Sequence, residues 1–542
     1  MKRNQLKIYA TAALFAIGLS SCTDLEIEET DSLITDGFQG LDPESGVNSV
    51  YGEVTNTLTD QAATYALNEV TTDALLVPTR GADWGDNGRW RKLHQHEWGF
   101  EEIDIINPFA QWTRIQLRAS QVLDDRSAPS PQDIGDASFL RAYAMWMTLD
   151  LFGQVPFRDT QAPSSELPTV LSGAEAVDFI LTDLDAAIAN LPTVAAGAGE
   201  PLRRASKAAA RFLRAKVLLN RHIYENQLTG GGGSPASADM AEVIALVDAI
   251  EADGFGLDDS KGYFELFEAS EDTETIWWTE SSTGNRIFNG LHYNSTGLGG
   301  GGWNGFSTLA EYYDLFEGDA NSNRFDVNRN PLDGQEERRG GVPPQGITFT
   351  SVDGTSDNGG FEDGSNVGLG FLIGQQYALD GTPLTDRQGN PLQFSREFVD
   401  GDGNPNLINN SERTGIRVQK YQARFNGGFT NHSIQFRWAD ALLMKAEAML
   451  RSGTDPTAMV NELRTLRGAT PLGSVTEQDL LDERGRELFA EGWRRNDMIR
   501  FGQYLRAWEF KGAEANNAAR NLFPIPLPQL LANPNLQQNP GY

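Results

Sequence analysis

Few side chains of this protein ligate metals or act as nucleophiles, and that limits the chemistry open to it. Its 542 residues hold five histidines (His94, His96, His222, His292 and His432) and one cysteine, Cys22. His94 and His96 lie two apart beside Glu97, which on a strand would set both imidazoles on one face and suit a metal. No other His or Cys stands at a diagnostic spacing, so no metal is assigned. Asp400, Asp402 and Asn404 in DGDGN open like a calcium loop, but Pro405 and Ser411 stand where such a loop needs Gly and Glu. A turn is the expectation there, and calcium stays unsupported. Gly297, Gly299 and Gly302 satisfy G-x-G-x-x-G only inside a glycine run, with no strand before or helix after, so they are read as turn formers. Neither a G-x-S-x-G elbow nor a P-loop is present. A glycosidase needs just two carboxylates, and nothing marks a pair out from the abundant acidic residues. No catalytic residue and no cofactor is expected.

The aromatic residues say more. Trp84, Trp90 and Trp98 place three of eleven tryptophans in the polar, Gly-punctuated stretch PTRGADWGDNGRWRKLHQHEW. A tryptophan on such a loop can stack on the apolar face of a sugar ring while neighbouring amides and guanidinium groups bond its hydroxyls. Trp84 and Trp90, with Asp86, Asn87 and Arg89 between and beside them, form the first candidate binding segment. Trp98, nearest the next helix, is expected to pin the loop to the scaffold instead. The second segment is GGGGWNGFSTLAEYY at 299–313, where glycines expose Trp303 and Asn304, with Tyr312 further on. Trp277 and Trp278 sit side by side in a β-like piece, so one should point inward and the other outward.

Charge and compartment narrow the function further. Forty-four basic and 75 acidic residues leave a formal charge of −31, and such a surface repels phosphates, which excludes nucleic acid as a ligand. Lys2, Arg3 and Lys7 precede an apolar run, Ala10–Leu19, that ends in Ser20-Ser21-Cys22. This is the layout of a secretory signal peptide, too short to span a bilayer, and it ends like a lipobox with Cys22 as the lipidated residue. Residues 22–40 read as an acidic tether. An exported chain with one Cys has no disulfide partner for it, so attachment to a membrane would be by lipid.

Helices must position these loops. Asp42-Pro43 opens one toward Leu58, and others are predicted over 104–123, 139–151, 173–191, 206–224 and 238–251. Ala-rich positions in AAARFLRAKVLLN allow close helix approach. Paired helices of this length suggest tetratricopeptide-like units, although no strict repeat of about 34 residues is present. From 264 to 431 helical stripes give way to Gly, Asn and short β-like pieces, too long for one loop and so an ordered lobe. Helix returns at 435–502. There Trp438, Ala439, Leu442, Leu443, Ala446, Met449 and Leu450 form one stripe, Gly453 ends the helix, Asp455-Pro456 opens a second, and a capping box at Ser474/Glu477 a third. Glu483, Arg486, Glu487, Glu491 and Arg495 are expected to be surface charges, with Asp482–Arg486 and Glu491–Arg495 at favourable i,i+4 spacing. Three prolines in five residues near 524–528 rule out regular helix or central strand there.

The lipobox, the PTRG-x-DW…RW…LH stretch at 78–94, RWADALLMKAEAML at 437–450, ERGRELFAEGWRRNDMIRFG at 483–502 and the ending FPIP…NP…QNPGY at 523–542 together resemble the SusD/RagB family of outer-membrane lipoproteins. The resemblance implies an all-α, tetratricopeptide-like scaffold with an irregular ligand-binding lobe. It divides the chain into a signal peptide (1–21), the tether (22–40), an N-terminal helical region (41–263), the lobe (264–431) and a C-terminal helical region with its tail (432–542). It also implies a non-catalytic protein, lipid-anchored in the outer membrane and facing outward. Such a protein passes oligo- or polysaccharide to a SusC-like TonB-dependent transporter; the alternative is a RagB-type lid that captures peptides. The partner is implied by the resemblance alone.

Overall fold

The computed structural model describes residues 38–163, 165–230, 232–267, 271–280, 289–294, 302–326, 330–332, 334–342, 368–377, 382–421, 432–514 and 517–542. Cys22, the signal peptide, the tether up to residue 37 and the glycines at 297–301 lie outside them. The chain divides into a small unit, Met1–Phe38 with Ala162–Glu166, and a large one, Gln39–Gln161 with Leu167–Tyr542, which carries the core and the candidate site.

Local signals set the helix boundaries of the large unit. Helix α1 (Pro43–Thr59) starts where expected, the Asp42 carboxylate accepting from the Ser45 amide at 2.9 Å and Pro43 preset for the first turn. Then follow α2 (Ala63–Glu69), α3 (Arg89–Gln95), α4 (Ile103–Val122) and α5 (Pro131–Phe152). Helix α5 begins eight residues before the expected Phe139, because Ser130 and Asp133 cap each other's backbone amides ahead of Pro131. Gly153, at φ 72°, ends it. Strands β1 (Gln154–Phe157) and β2 (Thr169–Ser172) pair antiparallel before α6 (Gly173–Asn190). Helix α7 (Lys207–Tyr224) is capped by Ser206, and α8 (Ser237–Ala252) follows. From α4 to α8 each helix packs on the next. Ala208, Ala209, Ala210 and Ala215 are fully buried, so the small residues of α7 do let its neighbours close in. The scaffold is helical and tetratricopeptide-like, as expected.

The lobe is held by short strands. Strand β3 (Thr275–Glu280) pairs antiparallel with β10 (His432–Arg437), which leads directly into the C-terminal helices. Trp277 is buried against Phe139, Tyr143 and Phe436, while Trp278 is only half-buried, the division that alternation predicts. A four-stranded sheet orders β4 (Ser307–Thr308), β9 (Ile416–Gln419), β6 (Leu369–Leu372) and β5 (Gly340–Gly341). Strands β7 (Gly374–Gln375) and β8 (Gln393–Phe394) form a further pair, and α9 (Ala310–Tyr313) follows β4. Three hairpins share one plan, Asp-x-x-x-Asn-Pro. The carboxylates of Asp326, Asp386 and Asp400 accept from the amides of Asn330, Asn390 and Asn404 at 2.9, 2.8 and 3.0 Å. The residue before each Asp pairs with the Pro. DGDGN is the third of these hairpins.

The C-terminal block corrects the expectation of a solvated charge series. Helices α10 (Trp438–Arg451), α11 (Thr457–Leu466), α12 (Glu477–Glu487) and α13 (Arg494–Arg500) are present, with Gly453 at φ 77° past the end of α10. The third helix starts later than predicted, with the capping box at Thr476 and Asp479. Ala490 (φ 58°) and Gly492 (φ 89°) break the chain between α12 and α13. Glu483, Glu487 and Arg495 are fully buried, and Glu491 and Arg486 nearly so. Glu487 meets Arg338, Arg437 and Arg467; Glu483 meets Arg338, Arg464 and Arg486; Arg495 meets Asp150. Glu491 binds Arg437 and Lys420 rather than Arg495. These are core ion pairs that join scaffold to lobe. In the tail, Pro524 and Pro526 precede helix α14 (Leu527–Ala532), and Pro528 sits in its first turn, where no N–H is needed. Among the described residues no helix is long and apolar enough to cross a membrane.

Candidate functional site

The first candidate loop leaves the scaffold at Leu76, whose amide and carbonyl pair with Ser307 of β4 at 2.8 and 2.9 Å. It then turns sharply. Trp84, Asp86, Asn87 and Gly88 all adopt positive φ (60°, 34°, 53° and 81°) before α3 begins. Non-glycine residues rarely hold this conformation, and such strain collects where a surface has to be shaped.

The turn brings Trp84 onto the second candidate segment. Its indole Nε1 donates to the Trp303 carbonyl at 2.6 Å. Its ring covers Gly305, where a Cβ would come within 2.4 Å of it, so only glycine fits. Trp303 itself is 41% exposed, one of few large apolar side chains at the surface. Beside this pair the Tyr293 hydroxyl donates to Asp83 at 2.7 Å, and the Arg387 guanidinium lies 3.9 Å above the Tyr293 ring. Arg387 also donates to Asp83 at 2.9 Å and to the Glu412 carboxylate. The Tyr293 hydroxyl and then Arg387 hold the Asp83 carboxyl below its usual range, while burial and Asp83 push the Tyr293 phenol up. Asn87 is exposed at the tip of the turn. Partly exposed rings thus stand beside a carboxylate and a guanidinium, with the Asn87 amide exposed on the same turn. Such groups can stack on an apolar ring and bond the hydroxyls around it.

Two arginines brace this surface from behind. Arg80 donates to the carbonyls of Asn304 and Ser411 and to the hydroxyls of Thr414 and Ser307. Arg417 donates to the Asn304 side-chain carbonyl, the Ser307 hydroxyl and the carbonyls of Glu412, Thr414 and Gly415. Both are buried. Burial lowers Arg80 to about 9, and burial together with Arg80 holds Arg417 well below the usual guanidinium range.

The two candidate segments do meet, but not every predicted residue reaches the surface. Trp84, Asn87 and Trp303 do. Trp90 is 3% exposed, with its Nε1 bonded to Asp86 at 2.8 Å and its ring edge-on to Trp84 and Phe306, so it belongs to the core. Arg89 lies over the Trp90 ring and grips Asp104 through two bonds of 2.8 and 2.5 Å. Asn304 is fully buried between Arg80, Arg417 and the Glu412 carbonyl. Tyr312 is buried too, its hydroxyl donating to the Gly485 carbonyl at 2.6 Å. Trp90, Asn304 and Tyr312 support the surface or the core and do not display a ligand-facing group, whereas the Arg89 side chain stays 27% exposed while it holds Asp104. Trp98 pins its loop as expected, donating to the Tyr542 hydroxyl at 2.7 Å. His94 bonds the Glu509 carbonyl; His96 bonds Glu514 and the Thr71 carbonyl. Burial lowers both imidazoles, His94 to about 4.

Asp83, Tyr293 and Arg387 are site residues that spacing did not single out. Asp83 stood inside the first segment. Arg387 follows the Asp of a repeated hairpin, and that repeat was the available signal. Nothing local marks Tyr293.

The sequence profile of the SusD family matches residues 273–542. The chain is 26% identical, over the full length of both proteins, to a protein of Bacteroides thetaiotaomicron named starch-binding protein SusD. Among solved structures it is similar to a SusD-like protein of Bacteroides fragilis (TM-score 0.66, 19% identity, 92% of this chain and 96% of that one). It is similar also to surface glycan-binding protein A of Bacteroides uniformis (TM-score 0.63, 19% identity, 92% and 98%). The scaffold, the lobe and the matched sequence agree: the chain belongs to the SusD family.

Proposed function

We propose that this protein is a non-catalytic glycan-binding lipoprotein. Anchored through Cys22 at the outer face of the outer membrane, it captures oligo- or polysaccharide and passes it to a SusC-like TonB-dependent transporter. The observation that carries the reading is the platform of Trp84, Trp303 and Tyr293 edged by Asp83, Asn87 and Arg387. Relatives named for binding starch or surface glycans support it. One stacked ring contributes about 1 kcal/mol, so a few such contacts give micromolar or weaker affinity.

Affinity electrophoresis against a panel of polysaccharides tests the reading. Trp303→Ala should weaken binding about fivefold while leaving the melting temperature unchanged; a variant that binds like the parent removes this surface from the site. Co-purification from outer membranes should recover a TonB-dependent transporter with it. Peptide rather than saccharide among the trapped molecules, read by mass spectrometry, would replace the glycan reading with peptide capture.

A further inference from the structure

Most buried arginines elsewhere among the described residues are matched by carboxylates, although Arg339 bonds only the Tyr313 hydroxyl and the Asp319 and Ser322 carbonyls. Arg338, Arg437, Arg467, Arg484, Arg494 and Arg500 each bond at least one Asp or Glu. Arg80 and Arg417 likewise meet only neutral carbonyls and hydroxyls among the described residues, with Arg417 also 4.2 Å over the Phe394 ring, but these two lie together. They even share one acceptor, the Ser307 hydroxyl, at 3.0 and 3.2 Å. Neutral acceptors satisfy the N–H groups but leave two like charges side by side in a medium that screens them poorly. Neutral side chains would brace the same loops without that repulsion, so bracing alone does not account for the pair.

The nearby acids are already committed. Glu412 accepts from Arg387 and His292, and Asp83 accepts from Arg387 and Tyr293. His292 is neutral, since burial and Arg417 lower it to about 4. Arg413 is matched by Asp386 at 3.3 Å. Three guanidiniums (Arg80, Arg387 and Arg417) therefore face two carboxylates, a positive excess in a protein whose formal charge is −31. Of the three, Arg387 reaches solvent, with its side chain 47% exposed beside the aromatic platform.

We infer that the platform takes an anionic saccharide, one bearing carboxylate or sulfate groups. Arg387 meets its charge, and Arg80 and Arg417 supply the field beneath. The inference rests on the glycan reading above. Full-length protein in detergent is run against polygalacturonate, a sulfated galactan, amylopectin and laminarin. At least one anionic polymer should bind about tenfold more tightly than either neutral one, and raising salt from about 0.05 to 0.5 M should remove most of that advantage. The carboxylate and sulfate arms tell which anion is read. Arg387→Gln should lower anionic binding about tenfold. Asn304→Asp, which sets a carboxylate on Arg417 but gives up the Nδ2–H bond to the Glu412 carbonyl, should lower it too in a variant that still melts cooperatively; if that variant does not fold, Arg387→Gln and the salt series still decide. Salt-insensitive preference for a neutral glycan overturns the inference and leaves the glycan reading standing. Failure of all four polymers to bind overturns both.

Discussion

Trp84 and Trp90 are six residues apart in one polar loop and both reach Phe306, more than two hundred residues away, yet only Trp90 is fully enclosed. Trp90 is edge-on to that ring and to Trp84, with centroids at 5.8 and 5.6 Å, and its indole N–H is taken by Asp86. Trp84 lies over Gly305 and keeps part of its face at the surface. Truncating the enclosed Trp90 and the exposed Trp303, the partner of Trp84, should therefore have opposite signatures. Trp90→Ala opens a cavity and should cost about 3–5 kcal/mol in chemical denaturation, whereas Trp303→Ala should change binding and not stability. If Trp90→Ala keeps full stability, its assignment to the core is wrong. Composition showed that this loop carries rings without a helical stripe. It could not show which ring its distant partners would enclose, nor that Asn304 would be enclosed by two arginines.

Periodicity serves better for elements. The apolar stripe of Trp438–Leu450, the Asp42-Pro43 start and the Ser206 cap are local, and the helices form where those signals stand. The charged face of α12 was misread because its partners are remote. Glu483 and Glu487 look solvated along the sequence, yet Arg338 reaches them from 145 and 149 residues away, and Arg437 and Arg467 complete the set. A charge pattern records which residues are ionic and not where their counterions come from. Glu487→Gln should thus behave as a core substitution. It replaces the carboxylate shared by three buried guanidiniums with a neutral amide whose NH2 faces them, and breaking such a group typically costs about 3–5 kcal/mol. A loss within about 0.5 kcal/mol, the range of ordinary surface changes, would show the network to be dispensable. The lobe was legible only as non-helical; its three Asp-x-x-x-Asn-Pro hairpins repeat at irregular spacing, which hides them from a search for a fixed period.

For the molecule as a whole, these pairs set how stability depends on pH. Burial alone would raise the carboxyls of Asp440, Glu447 and Glu483, but the cations around them win and lower each to about 2. Their ordinary values are 3.8 for Asp and 4.5 for Glu. Because the folded values are the lower ones, the stabilisation is complete above about pH 4.5 and is lost as pH falls toward 2. Each contributes on the order of a few kcal/mol. Glu274, raised by burial, works in the opposite sense and offsets a part. The melting temperature should be flat near neutrality with respect to these groups and fall steeply between about pH 4.5 and 2. A protein that melts at the same temperature at pH 3 and pH 7 would contradict this. Fold class was readable across the whole chain, but this coupling of lobe to scaffold was not, since it depends on pairs that only the folded chain brings together.

The brace behind the platform holds main chain more than side chain. Arg80 and Arg417 take the carbonyls of Asn304, Ser411, Glu412, Thr414 and Gly415, and a carbonyl is supplied by any residue. Anchorage of the loops is thereby separated from the identity of most groups they present. The exposed side chains at positions 87 and 303 take no part in these bonds, so the frame should hold while a lineage, or a randomised library, exchanges them. The positions that resist exchange should be Arg80, Gly305, Ser307 and Arg417, the parts of the frame itself.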